Sequence, residues 1–107
     1  MKTLAPLAVL LALPLLAHGQ GTKCTLRLNV HVTPDVENPR DPGFLSTLAG
    51  NPAYSLVYLG NSEESDTVIL QLSGPPGTCR KQVEIMQMDS HIVDIQVMGG
   101  EGEDNES

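Results

Sequence analysis

Apolar and polar residues alternate without a fault along Cys24-Thr-Leu-Arg-Leu-Asn-Val-His-Val-Thr33, so that Cys24, Leu26, Leu28, Val30 and Val32 share one face. That period of two predicts a half-buried strand with its cysteine turned into the core. Pro34 ends it, and the following stretch PDVENPRDPG carries three prolines and several acids, which suits a connecting loop and not a ladder. Asp41-Pro42 then supplies a cap with proline in the first turn, Phe44, Leu45 and Leu48 an apolar stripe, and Gly50 a stop, predicting one or two turns of helix.

The strand period resumes at Tyr54. YSLVYL and TVILQLS, separated by the polar linker GNSEESD, read as a hairpin, with Tyr54 and Tyr58 on one face about Leu56. SGPPGT is a second turn cluster. Beyond it CRKQVEIMQM and HIVDIQVM are expected to be a fourth and a fifth strand, Cys79, Val83 and Ile85 facing one way on the first and Val93, Ile95 and Val97 facing the core on the second. The pattern therefore predicts an all-β fold: a small disulfide-stapled β-sandwich or partly open barrel of about five strands with one short helix. The final GGEGEDNES is too polar and glycine-rich to pack, so the expected division is a leader over 1–19, a β domain over 20–98 and a disordered acidic tail over 99–107.

The leader is expected from a different pattern. Lys2, thirteen nearly uninterrupted apolar residues from Leu4 to Leu16, and the small residues Ala17 and Gly19 have the order of a secretory signal peptide, with cleavage before Gln20. The run is shorter than the ~20 residues that span a bilayer, and Pro6 and Pro14 interrupt it. Secretion makes one disulfide the expected state of the two cysteines, Cys24 and Cys79. Closing a loop of about 56 residues is worth roughly 4 kcal/mol in the chain-entropy account. With one phenylalanine, two tyrosines and no tryptophan to fill a core, that contribution is needed.

The net charge of −7 becomes −8 once Lys2 leaves, which argues against nucleic acid, heparin-like glycans and anionic membranes as partners. No frame for catalysis stands out: no nucleophile elbow or glycine-rich phosphate loop is present, and both thiols are committed. His31, His91 and Asp89 lack the spacing of a zinc site, and the acids of the proline-rich loop lack the bidentate glutamate spacing of the known calcium loop. No metal or cofactor is therefore expected. Asn105-Glu106-Ser107 is the one glycosylation sequon, at the very end of the chain, where a longer cell-surface ectodomain would continue.

These exclusions leave a non-catalytic extracellular domain that binds another extracellular or cell-surface protein. Its contact residues are expected on scaffold-held loops: Asp35, Glu37, Arg40 and Asp41 on loop 34–43, and Glu63, Glu64 and Asp66 on loop 60–66. The alternative is a secreted protease inhibitor presenting Arg40 from loop 34–43.

Overall fold

The computed structural model describes residues 22–102. The expected leader, the cleavage site before Gln20 and the sequon at Asn105 lie outside the described residues. The first strand, β1 (Cys24–Val32), follows the alternation residue for residue, burying Cys24, Leu26, Leu28, Val30 and Val32. Helix α1 (Pro42–Ala49) begins where Asp41 accepts a hydrogen bond from the Phe44 N–H at 3.0 Å, and it stops at Gly50, whose φ of 75° is the left-handed turn that glycine enters at no steric cost. Strands β2 (Ser55–Asn61) and β3 (Thr67–Gly74) form the expected hairpin.

The fourth element departs from the expectation. Cys79–Met86 is a helix, α2, because its buried side chains are Cys79, Gln82, Val83 and Met86, the i, i+3, i+4, i+7 stripe of a helix, whereas Ile85, read as a core partner of Val83, is half exposed. A glutamine within the stripe hides that period from a hydrophobic count. Gln82 is buried because its Nε2 donates to the Ala49 carbonyl oxygen at 2.8 Å, satisfying a C-terminal carbonyl of α1.

The last strand, β4 (Ile92–Glu101), also differs in which side chains it buries. It pairs antiparallel with β1, but the register shifts twice, so that Val93 and Met98 are extra residues with no partner on β1. The first bulge moves the core positions to Ile92 and Ile95, both buried, with Val97 half-buried, and turns Val93 to solvent at 54% exposure. The expected face Val93, Ile95, Val97 thus holds only for its last two members.

Among the described residues the fold is one four-stranded antiparallel sheet in the order β2-β3-β1-β4, with α1 and α2 packed on the same face, and not a five-stranded sandwich or barrel. This βαββαβ connectivity interleaves two split βαβ units, the ferredoxin-like arrangement. The helices close the core over Leu26, Leu28, Leu70 and Leu72 with Leu45, Leu48, Val83 and Met86. The opposite face carries Thr25, Arg27, Asn29 and His31 of β1 beside Gln71 and Ser73 of β3, with Ile69 of β3 and the half-exposed Val57 and Leu59 of β2 among them, a largely polar surface that one layer can leave to water. The disulfide between Cys24 and Cys79, with Cα atoms 6.0 Å apart, therefore joins β1 to the start of α2, not to a fourth strand.

The boundary expected at residue 99 falls inside β4. Gly99, Gly100 and Glu101 pair with Arg27, Leu26 and Thr25, and the Gly102 carbonyl accepts from the Gly77 N–H at 2.9 Å. Gly100 lies so close to the Thr25 carbonyl and to Leu26 that a Cβ would collide with both, which explains a glycine in a strand that crosses the β1 end. Truncation after Met98 should consequently lower stability by about 1–3 kcal/mol through the lost pairings. Truncation after Gly102 keeps them all. Urea midpoints that are equal for the two truncations would remove residues 99–102 from the cooperative fold.

Candidate functional site

The antiparallel pairing of β1 with β3 sets His31 opposite Thr67, so the chain leaving β1 and the chain entering β3 emerge at the same end of the sheet. The Val32 N–H donates to the Asp66 carbonyl oxygen at 2.8 Å and ties the two exits together. Between them lies an open cleft of about 390 Å³. Glu37 lines it from the first loop, and Glu63, Glu64 and Asp66 line it from the second; Val32, Val36, Pro39 and Val68 form its apolar part. Among the described residues no lysine or arginine lines it. The β2–β3 turn is held locally: the Ser62 N–H donates to the Thr67 carbonyl oxygen at 3.0 Å, and Thr67 Oγ1 donates to the Ser65 carbonyl oxygen at 2.9 Å. Asp66 sits at a φ of 55°, a conformation that aspartate tolerates better than a branched side chain does.

Of the residues singled out in the two loops, four meet in this cleft and three do not. Asp41 is occupied as the N-cap of α1. Arg40 reaches the other side of its loop, where its guanidinium lies 5.5 Å from the centroid of the Tyr58 ring. Asp35 turns toward the α2–β4 connection, with Oδ2 3.9 Å from His91 Nε2. His91 in turn approaches Asp89 Oδ1 through Nδ1 at 3.1 Å, and Phe44 meets its ring edge-on at a centroid distance of 6.3 Å.

The Asp35 carboxyl is held below its ordinary range first by the Thr33 hydroxyl, then by its own backbone N–H, with the His91 ring a smaller influence. The Thr33 effect is one of proximity, because Thr33 Oγ1 is buried and completes no hydrogen bond of full geometry. Asp35 is exposed, so this bias keeps it ionised without adding appreciably to stability. His31 does not join His91: it stands on the polar sheet face opposite Asp94, while the His91 carbonyl oxygen accepts from the Thr33 N–H at 2.9 Å. Among the described residues no group of three or more His, Cys, Asp or Glu side chains is placed to hold a metal ion.

What the cleft can do chemically follows from its lining. Several acidic side chains around an open depression attract a cation, and Val36 and Pro39, half-buried, remain accessible to the methylene stem of lysine or arginine, while Val32 and Val68 belong to the core beneath. The cleft itself is not legible in the sequence, because no local pattern says that 32–39 and 61–68 share a wall. The signal was the β1–β3 pairing, which only the sheet order supplies.

Comparison with protein-family models, curated proteins and solved structures finds no match to this chain.

Proposed function

We propose that this protein is a non-catalytic extracellular binding module whose cleft between loops 33–39 and 61–67 takes a basic segment of another protein. The observation that carries the reading is the convergence of Glu37 with Glu63, Glu64 and Asp66 around one depression that, among the described residues, no cationic side chain lines. The overall charge of −7 favours the same class of partner, since the whole surface attracts a basic segment before contact. The Cys24–Cys79 bridge is compatible with an extracellular location, and among the described residues no helix is long and apolar enough to cross a membrane. Secretion through the leader 1–19 belongs to this proposal.

The inhibitor reading would use Arg40 as the residue offered to a protease. Its guanidinium packs over Tyr58, so a protease would first have to lift it from the ring, and for that reason the cleft is preferred. Incubation with trypsin-like proteases separates the two: stoichiometric inhibition would favour Arg40 over the cleft.

The test is a comparison of lysine- and arginine-containing peptides with neutral ones, measured against the protein and against Glu63→Gln/Glu64→Gln/Asp66→Asn. Basic peptides should bind with an association rate that falls as salt rises, and the triple variant should lose about tenfold or more in affinity. Equal binding of basic and neutral peptides, or unchanged affinity in the triple variant, would sink the proposal.

A further inference from the structure

The two edges of the sheet are protected very differently. β4, at one edge, carries Asp94, Glu101 and two bulges, the devices by which edges resist pairing with other chains. β2, at the other, reads SLVYLGN, with no charge and no proline, and carries one bulge, at Leu59. Val57 and Leu59 on this edge are 50% and 48% exposed. Along its helix side runs a groove of about 360 Å³, where Arg40, Pro42 and Leu45 face Leu56 and Tyr58.

We infer that β2 is a self-association edge: two copies of the chain pair β2 with β2 antiparallel about a two-fold axis through Val57, joining their sheets into one of eight strands. In that register Val57 faces the partner's Val57 on the polar-face side, Leu56 faces the partner's Tyr58 on the helix side, and Leu59 faces the partner's Ser55. Leu56 and Tyr58, which line the groove from β2, are thus each other's cross-strand partners, so one apolar patch is complementary to itself, as an isologous contact requires.

Charge is what argues for a second copy despite the acidity of the chain. Ser55–Asn61 contributes no charge to the contact, and among the described residues lining the groove Arg40 alone is charged. The antiparallel register also sends the two acidic turns, Glu63, Glu64 and Asp66, to opposite ends. Asn61 is four residues from the axis, so the two copies of it lie roughly 27 Å apart at ~3.4 Å per residue, and the acidic turns lie beyond that. This exceeds the ~8 Å screening length at physiological salt, so the clefts do not oppose association. A seven-residue edge is small for an interface, which sets the dimer in the transient class with Kd of about 10 μM to 1 mM.

Sedimentation equilibrium of the purified protein from ~10 μM to ~1 mM tests this range. The weight-average mass should rise with concentration toward twice that of the monomer, with amide exchange slowing along residues 55–60 as it does so. Val57→Lys places two ammonium groups face to face and should weaken the dimer at least tenfold, as should Val57→Glu; an equimolar mixture of the two variants should recover it as a heterodimer. Because Val57 is half exposed, both variants should keep the wild-type thermal midpoint, and the mixture reports on association even if each alone is somewhat destabilised. A monomer throughout the range, a dimer insensitive to Val57→Lys, a mixture that stays monomeric, an open-ended oligomer, or an edge that takes up added extended peptides while remaining monomeric would each overturn the inference.

Discussion

Ile95→Asp should remove a large share of the domain's stability and lower its urea midpoint steeply, whereas Val93→Asp, two positions earlier on the same strand, should keep the wild-type midpoint. Ile95 is 6% exposed, opposite Val30 in the core beneath the helices, while Val93 is the bulged residue of β4 and 54% exposed. A carboxylate at position 95 would have to be buried unpaired or stay protonated, and no cation stands in the core cluster to receive it. The cost is several kcal/mol, at least about 4, against the ~5–15 kcal/mol that holds a domain of this kind together. At position 93 the same group remains in water, and the change is limited to about 0.5 kcal/mol. Circular dichroism and urea unfolding of the two variants decide the matter. Similar losses in both would return β4 to the unbroken alternation that its sequence suggests, and with it the bulge at Val93 would go.

That pair of variants marks the limit of what period-two reading can deliver. β1 is legible from sequence because it is a central strand with one buried face, where a single-residue slip would turn every leucine and valine to water, so the alternation is complete. β2, β3 and α1 are legible for related reasons: turn chemistry bounds the hairpin, and Asp41, Pro42 and Gly50 punctuate the helix. An edge strand is under less constraint. β4 accommodates two extra residues because no further strand on its outer side has to keep register, and bulges of this kind leave no signature in an apolar count.

α2 is harder still. Gln82 occupies a core position by bonding to the α1 terminus, a reason that exists only once the two helices are adjacent. The strand reading of 79–88 in turn produced the expectation of a two-layer β architecture. With five strands a sandwich is needed to bury the second face; with four strands and two helices, the helices serve as the second layer. The candidate site was legible by composition and not by geometry. The acids of both loops are visible in the sequence, but Asp41 is diverted to capping, Arg40 to Tyr58 and Asp35 to His91, and only the sheet order brings Glu37 beside Glu63, Glu64 and Asp66.

Replacing both cysteines, Cys24→Ala with Cys79→Ala, should lower stability by about 4 kcal/mol, and the loss should be felt unevenly across the fold. The bridge spans 55 positions, and the loop-closure entropy it removes from the unfolded chain accounts for that magnitude. In the folded state it anchors the first turn of α2 to the first residue of β1, and both sulfurs are fully buried. Without it α2 is held by Val83 and Met86 in the core and by the Gln82 bond to Ala49, with no side-chain hydrogen bond from Thr78 to secure its N-terminus. Thr78 Oγ1 donates instead to the Pro75 carbonyl oxygen and accepts from Tyr54 Oη, so the turn before the helix stays tied to the β2 side even when the sulfurs are gone. Amide exchange in the double variant should therefore quicken first along Cys79–Met86, while the β1–β3 ladder at the sheet centre exchanges only with global unfolding. Reduction of the wild type should reproduce the effect, which makes the domain durable in an oxidising compartment and marginal in a reducing one. A midpoint shift worth less than about 1 kcal/mol would mean that the helices and sheet hold each other without the bridge, and an exchange pattern that quickens uniformly would show α2 to be as firmly held as β1.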